Sequence, residues 1–519
     1  MKKQLPIDMS TFSRIIKEGY LYIDKTEQIA RLFTTGKRYF FLSRPRRFGK
    51  SLLISTLKSL FRGEKELFDD LWIGKQKDFK WQDYPVIHID FSLAQYRTPE
   101  ELEQSLNWML DRCAKEYDIT LSNIHTPKAK LVTLVEALAK LNTVVILIDE
   151  YDKPILDHLH DPAKANAQRE VLKSFYDVFK GLDEYLRCIF ITGVSKFAKT
   201  SVFSGLNNLT ELFYTPEGAD LVGYTQNELE TFFAQYIEDL ASEQKESIDS
   251  IKEKIKHWYN GYQFSKKPIK IYNPYSIGYL FSNSRFENYW FESGTPTFLI
   301  EHLKRKPWTL RDVENKAFHI ALLGTFQIDN IPLETLFFQS GYLTIKEYDE
   351  QYDVYRITYP NDEIRQSIGI LELGVLTGTN ASTMVNTLYQ LRYALENKNL
   401  DVFAQTIRSL LANIPSYLHI EREAYYHSLI QLLCTTLGLA TSCEVVTSKG
   451  RIDLVLFTEK YIYVIELKFN TSAQKALEQI HEKKYYEKYQ LSGKEIILVG
   501  LALNYKEKEL SVEWVEGSI

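Results

Sequence analysis

Cysteine is scarce in this chain. Its 519 residues include four, Cys113, Cys188, Cys434 and Cys443, scattered with no C-x-x-C pair and none near a histidine at metal spacing. That excludes a disulfide scaffold, argues against structural zinc, and leads us to expect a reducing, cytoplasmic setting. Long apolar runs are also missing. The longest, such as Val144 to Ile148, are strand-length, far short of the ~20 residues a membrane helix needs. The opening MKKQLPIDMSTF has two lysines but no apolar stretch behind them, so it does not read as a signal peptide. Neither sign of charge dominates: 63 Lys and Arg against 68 Asp and Glu leave a net charge of −5. Coating of nucleic acid by bulk charge is thereby excluded, and any such contact must be a local basic patch. No repeat of 20–50 residues, which would mark a solenoid, is present, and no Ser-His-Asp or Cys-His arrangement stands out.

What is present is a globular composition, 45% hydrophobic and 25% charged, in a chain long enough for about three domains. The 34 Tyr and 29 Phe read as core and amphipathic surface. Over the first two hundred residues, short β-rich runs (RYFFL at 38–42, PVIHIDF at 85–91, TVVILID at 143–149, RCIFITG at 187–193) alternate with helical patterns. Such alternation predicts a parallel sheet covered on both faces. From about 216 to 330 the pattern is helical and charged. Near 333–357 a short helix precedes GYLTIKEY and YDVYRITY, which suggests a winged-helix-like module. Helices follow from 363 to 440. SCEVVTS, RIDLVLFT and YIYVIELKF, a helix at 472–490 and EIILVGLAL then predict a second α/β domain. The expected domains are 1–215, 216–375 and 376–519.

Chemistry enters at Arg44-Pro45-Arg46-Arg47-Phe48-Gly49-Lys50-Ser51, between the strand RYFFL and the helix SLLISTLKSLF. A strand, a tight loop and a helix N-terminus make a phosphate cradle. Backbone N–H groups point at the anion, the lysine reaches the β/γ phosphates, and the serine hydroxyl can hold Mg²⁺. Arg44 stands where the pattern G-x-x-x-x-G-K-[ST] has its first glycine, and an ordinary helix start with Ser51 near its cap gives the same letters. A second signal lies a hundred residues on, where an apolar strand ends in Asp149 and Glu150. An aspartate there can hold Mg²⁺ and the glutamate can act as general base, although two carboxylates can also merely solvate a strand end. Thr192, at the end of RCIFITG, fits either a γ-phosphate sensor or a structural role. Arg44, Arg46 and Arg47 can grip phosphate oxygens or pair with acidic residues elsewhere.

These segments, with YIDKT (22–26), LIDEYDKP (147–154), ITGVSKF (191–197) and SGLNNLT (204–210), resemble the AAA-ATPase-like family over about residues 5–215. The resemblance accounts for the missing glycine as a family trait and implies an ASCE-type P-loop fold with ATP as ligand. It places Arg46, Arg47, Phe48, Gly49, Lys50, Ser51, Asp149 and Thr192 at the nucleotide, Ser51 and Asp149 at Mg²⁺, and Glu150 as hydrolytic base. No arginine finger is assigned.

The second constellation is Gly450-Arg451-Ile452-Asp453 followed by Ile465-Glu466-Leu467-Lys468. Glu466 and Lys468, two apart on a strand, share a face, and a hairpin brings Asp453 beside Glu466. Two carboxylates and a lysine suit a hard divalent cation and a water. An exposed ion pair is the plainer reading of E-x-K, but the strand is otherwise strongly apolar. The block resembles the PD-(D/E)XK nuclease superfamily over about 420–500, a restriction-endonuclease-like α/β fold. The likeness implies Asp453 and Glu466 as metal ligands, Lys468 as catalytic, and Glu423 and Gln479 as accessory. It also implies Mg²⁺, with Mn²⁺ as an alternative at this site. Related nucleases place a tyrosine four residues after the glutamine; here position 483 is Lys, and a helical face pairs Gln479 better with Tyr486 than with Tyr485. His427 lies one turn after Glu423, where a ligand role and a packing role are both open. In HWYNGYQF, His257, Trp258 and Tyr259 can stack a base, though core and turn roles fit better.

The reading is an ATP-binding protein, a slow ATPase, joined to a Mg²⁺-dependent nuclease acting on DNA or RNA, with homo-oligomers conceivable. The alternative is a nucleotide-switched binding protein whose nuclease fold holds nucleic acid or a protein without cutting. It draws on the count from 420 onward, 12 Lys and Arg against 14 Asp and Glu, which is poor for gripping a phosphate backbone.

Overall fold

The computed structural model describes residues 2–34, 36–196, 202–203, 206, 208–294, 317–319, 332–415, 422–506 and 509–519. Of the expected motifs, Phe197 of ITGVSKF and Ser204, Gly205 and Asn207 of SGLNNLT lie outside them.

The four predicted strands form: β1 (Tyr39–Ser43), β2 (Val86–Asp90), β3 (Val144–Asp149) and β4 (Leu186–Gly193), with a short β5 (Thr210–Glu211). All pair in parallel in the order β2-β3-β4-β1-β5. Every residue of β1 and β3 is buried, as expected where helices cover both faces of a sheet. The covering helices start where the sequence supplies caps. Thr98, Thr126 and Asp161 each accept a backbone N–H at a helix start with proline in the first turn, which satisfies otherwise unpaired donors. This order puts β4 between the strand leading into the phosphate loop and the strand ending in Asp149. It is the parallel P-loop sheet that the resemblance implies.

Helices Gln226–Phe232, Ala234–Gln244, Ile248–Tyr259 and Pro274–Asn283 build a second core with Ile23. Lys25 of YIDKT is bound into it, its buried ammonium meeting Glu228 at 2.7 Å and the Asp220 carbonyl at 2.9 Å. Tyr259 is buried in this core, its hydroxyl on the Glu287 carbonyl at 3.0 Å, so it is not a base-stacking platform. The helix Leu333–Ser340 precedes β7 (Thr344–Asp349) and β8 (Val354–Thr358), as predicted, and β6 (Ala317–His319) adds to β8 in a three-stranded antiparallel sheet.

Packing divides the chain at Asn361 and Asp362. The described residues of 216–361 pack with the P-loop sheet, tied by Arg44 to Gly218, Trp290 to Arg46 and Lys196 to Gln339. The helix Asp362–Thr377 packs in the second unit, where Gly369 lies so close to Thr436 that a Cβ would meet its hydroxyl at 2.0 Å.

In that second unit, β9 (Ala440–Thr447), β10 (Gly450–Phe457), β11 (Tyr461–Phe469), β12 (Glu495–Lys506) and β13 (Glu509–Gly517) form one mixed sheet, in the order β13-β12-β11-β10-β9. The pair β11–β12 is parallel and the others are antiparallel. Its helical crossover is Ala473–Lys483. Strand β13 was not anticipated, although ELSVEWVEG alternates as a half-exposed edge strand should. Among the described residues, no helix is long and apolar enough to cross a membrane.

Candidate functional site

The phosphate loop turns sharply at two positions, Arg47 with φ +66° and Gly49 with φ +89°. Gly49 is the residue before the helix Lys50–Phe61, so the loop ends at a helix N-terminus that faces a cavity, a natural seat for anions. The three arginines divide their work. Arg44 is buried, its guanidinium donating to the carbonyls of Ser43, Phe213 and Gly218 at 2.9, 3.3 and 2.6 Å. Burial pushes it down to about 9. It holds the loop from behind and is not among the residues lining the cavity in front of it. Arg46 and Arg47 instead line a cavity of about 580 Å³ with Gly49, Lys50, Ser51 and Glu150. Phe48 packs its ring edge-on against Tyr262 and Phe264, leaving its backbone as its contribution to the loop.

Lys50 donates to the Arg44 and Pro45 carbonyls at 2.9 and 2.8 Å. Burial lowers its pKa, opposed first by Asp149 and then by Glu150 and Asp152. Asp149 stands behind Ser51 and takes a hydrogen bond from the Thr192 hydroxyl. Thr192 therefore orients Asp149. Burial raises the carboxyl's pKa, opposed by the neighbouring Ser51 and Thr192 hydroxyls and by Lys50. A hydroxyl and a carboxylate side by side offer the oxygen ligands Mg²⁺ takes alongside phosphates, so these residues fit the ion. Glu150 sits on the cavity wall in the left-handed region, φ +55°, paired with Lys153 at 3.1 Å.

One residue of LIDEYDKP received no role in the sequence reading. Asp152 is buried and accepts the Val194 N–H at 3.0 Å and the Ser195 N–H and hydroxyl at 2.6 and 2.5 Å. It locks the turn after β4 to the end of β3. Across the cavity, Leu5, Ile7, Leu21, Ile23, Tyr224 and Tyr275 make an apolar wall, suited to a flat heterocycle where the loop suits phosphates.

In the C-terminal unit, Leu454 pairs with Ile465, which sets Asp453 opposite Glu466 at the next rung. Asp453 lies inside β10 rather than at its start. Its Oδ2 accepts the Leu467 N–H at 2.8 Å. Lys468 meets Glu466 Oε1 at 3.0 Å, and Gln479 donates to the same oxygen. The second oxygen, Oε2, is buried without a hydrogen-bond partner among the described residues. Burial and the Asp453 charge push Glu466 up to about 7, and burial raises Asp453 too. A buried and a part-buried carboxylate face to face, one oxygen unpartnered, fit a divalent cation.

Gln479 is positioned because Gly500, beside Glu466 on β12, lets the crossover helix approach the sheet. A Cβ there would lie 2.2 Å from the Ala473 carbonyl. The helix ends at Lys483, with Lys484 left-handed at φ +51°. The face expected to pair Gln479 with Tyr486 is therefore interrupted, and Tyr485 instead packs against Gly450. Glu423 is exposed on the first helical turn and, among the described residues, approaches His427 at 3.6 Å. It is His427 that comes near Asp453, at 4.0 Å.

Comparison with known proteins accords with this geometry. The family model described as "Predicted AAA-ATPase" matches residues 6–203, and that of the PD-(D/E)XK nuclease superfamily matches residues 421–514. A protein of Azotobacter chroococcum mcd 1, described as an uncharacterized protein in the vnfD 5' region, is 36% identical over 515 residues, covering 96% of each chain. The chain belongs to the family of AAA-ATPase-like proteins that carry a C-terminal PD-(D/E)XK nuclease superfamily domain. Among solved structures, the Aeropyrum pernix ORC1 protein in complex with DNA matches at 10% identity over 69% of this chain and 96% of that one, TM-score 0.27. Drosophila ORC bound to poly(dA/dT) DNA and Cdc6 matches at 10% identity over 80% of this chain and 61% of that one, TM-score 0.25. Scores this low bear no weight on the fold.

Proposed function

We propose that the protein binds ATP and hydrolyses it slowly, and that its C-terminal site cleaves nucleic-acid phosphodiesters with a divalent cation. The phosphates would lie against Gly49, Lys50, Arg46 and Arg47, with Ser51 and Asp149 holding Mg²⁺. Glu150, fixed by Lys153, would take the proton of the attacking water. In the nuclease site Asp453 and Glu466 would hold the cation, Lys468 would face the charge growing on the phosphate, and Gln479 would keep Glu466 oriented. The cation, when bound, supplies Lewis-acid polarisation of the scissile phosphate. The observation that carries this reading is the unpartnered buried oxygen of Glu466 beside Asp453 and Lys468.

The test is cleavage of plasmid, linear duplex and single strands with Mg²⁺ or Mn²⁺, with and without ATP. The wild type would be compared with Lys468→Ala and Lys50→Ala. Cutting lost in Lys468→Ala is expected, and cutting that responds to ATP only when Lys50 is present would couple the two sites. Cutting that survives Lys468→Ala overturns the nuclease assignment. A second reading, a nucleotide-switched binding protein, is favoured by the 12 basic against 14 acidic residues from 420 onward. ATP binding without any cutting would select it.

A further inference from the structure

Two neighbouring guanidiniums of the phosphate loop reach different walls of the nucleotide cavity. The left-handed backbone of Arg47, φ +66°, turns the chain between them. Arg47 lies over the Tyr275 ring, 4.9 Å from its centre, at the start of the helix Pro274–Asn283. Arg46 faces the wall where β3 delivers its carboxylates. Among the described residues its one ion pair is a loose one to Asp157, at 3.9 Å, beyond hydrogen-bond reach. Asp157 is already engaged by the Tyr96 hydroxyl at 2.6 Å. Burial and Asp157 raise the pKa of that hydroxyl, Glu150 adds to the rise and Arg46 opposes it. Lys50, whose pKa burial lowers, feels Glu150 and Arg46 as well. Arg46, Glu150 and Lys50 thus stand around one corner, all three on the cavity wall. Trp290 holds the Arg46 carbonyl at 2.9 Å, so the backbone is fixed while the guanidinium stays uncommitted.

We infer that Arg46 is an arginine finger supplied in cis, leaving Asp157 when ATP binds and donating to the γ-phosphoryl oxygens. One chain then holds every side chain that its own hydrolysis needs. The inference rests on the reading of the cavity as an ATP site and deepens it. In the step, the water oxygen bonds to the γ-phosphorus and its proton passes to Glu150. The bond from that phosphorus to the β,γ-bridging oxygen breaks, and its electron pair stays on ADP. Arg46 meets the charge of the transferring group with a planar fork of N–H donors, which can take two oxygens at once. Lys50 offers only a point charge. A guanidinium that starts from one loose, exposed ion pair loses little by moving. The other two arginines of the loop are engaged elsewhere, Arg44 on buried carbonyls and Arg47 on Tyr275.

The test uses the full chain with Mg²⁺, as wild type, Arg46→Ala, Arg46→Lys and Lys50→Ala, each checked for folding by circular dichroism. Calorimetry gives ATP and ADP affinity, and single-turnover hydrolysis gives the rate of the chemical step. Arg46→Ala should keep its ADP affinity and lose about tenfold or less in ATP affinity. Its hydrolysis rate should fall about 10²–10³-fold. Arg46→Lys, with the charge but no fork, should recover binding more than rate. ADP with aluminium fluoride, which mimics the phosphoryl group in transfer, should bind Arg46→Ala no better than ADP alone. The wild-type rate per chain should not vary with protein concentration. Adding Lys50→Ala chains, whose Arg46 is intact, should restore nothing to Arg46→Ala. Restoration on mixing would assign the finger to a neighbouring copy and overturn the inference. So would an unchanged rate in Arg46→Ala, or a wild type that binds ATP without turning it over, and each leaves the ATP site standing. Unchanged ATP affinity in Lys50→Ala would remove the ATP site itself.

Discussion

The indole N–H of Trp290 donates to the backbone carbonyl of Arg46 at 2.9 Å, reaching across 244 positions of sequence. On the same loop, Gly341 lies so close to Pro45 that a Cβ would stand 2.7 Å from the proline ring. The phosphate loop is therefore shaped by residues far downstream as well as by its own letters. Trp290→Phe keeps an aromatic ring in this buried place and removes the hydrogen bond. A net ~0.5–1.5 kcal/mol, or about 2–10-fold in ATP affinity, is expected to be lost. Calorimetry on the folded variant measures it, and an unchanged Kd would detach Trp290 from loop geometry.

Arg44 and Arg46 should separate cleanly. Arg44→Met strips the partner from three carbonyls, two of them, Phe213 and Gly218, far along the chain. A cost of roughly 3 kcal/mol or more in stability is expected, since each stranded buried group costs ~1–3 kcal/mol. Arg46 is more than a third exposed and meets Asp157 only at 3.9 Å. Arg46→Ala should leave the urea midpoint almost unmoved while weakening ATP binding. The reverse pattern would exchange their roles.

His88 supplies a pH dependence. Burial, with Lys58 adding to it, pushes its pKa down from 6.5 to about 4. The folded imidazole stays neutral where the unfolded one takes a proton. This contribution to stability is complete above pH 6.5 and is lost as the pH falls toward 4, on the order of 3 kcal/mol in all. His88→Gln should flatten the fall in melting temperature between pH 6.5 and 4.5 relative to wild type. Parallel curves for the two proteins would show that His88 is not held neutral.

Gly500→Ala tests how the nuclease site is assembled. The new methyl would meet the Ala473 carbonyl at 2.2 Å and the Leu477 nitrogen at 2.8 Å, so the helix carrying Gln479 must move outward. We expect ~1–3 kcal/mol of destabilisation and faster hydrogen exchange along Ala473–Lys483, with the bond from Gln479 to Glu466 weakened. Unchanged exchange in that helix would mean its seat does not depend on Gly500.

The sequence by itself determined the elements and the chemical types. Near-continuous apolar runs placed β1 to β4, because a strand buried on both faces needs no polar alternation. Strand alternation put Glu466 and Lys468 on one face, and Gly49-Lys50-Ser51 at a strand-to-helix junction marked a phosphate seat. The alternation in ELSVEWVEG also marks strand β13, which the sequence reading missed. What only the tertiary structure decided were relations between distant residues. Nothing local in Arg44-Pro45-Arg46-Arg47 tells which guanidinium is buried; Phe213, Gly218 and Phe264 settle that. Nothing near His427 or Glu444 announces that both meet at Asp453, since that follows from how a helix and two strands pack. Local sequence sets backbone propensity and hydrophobic period. Which polar atoms end up buried, partnered or orphaned is decided when separate elements close on one another and exclude water.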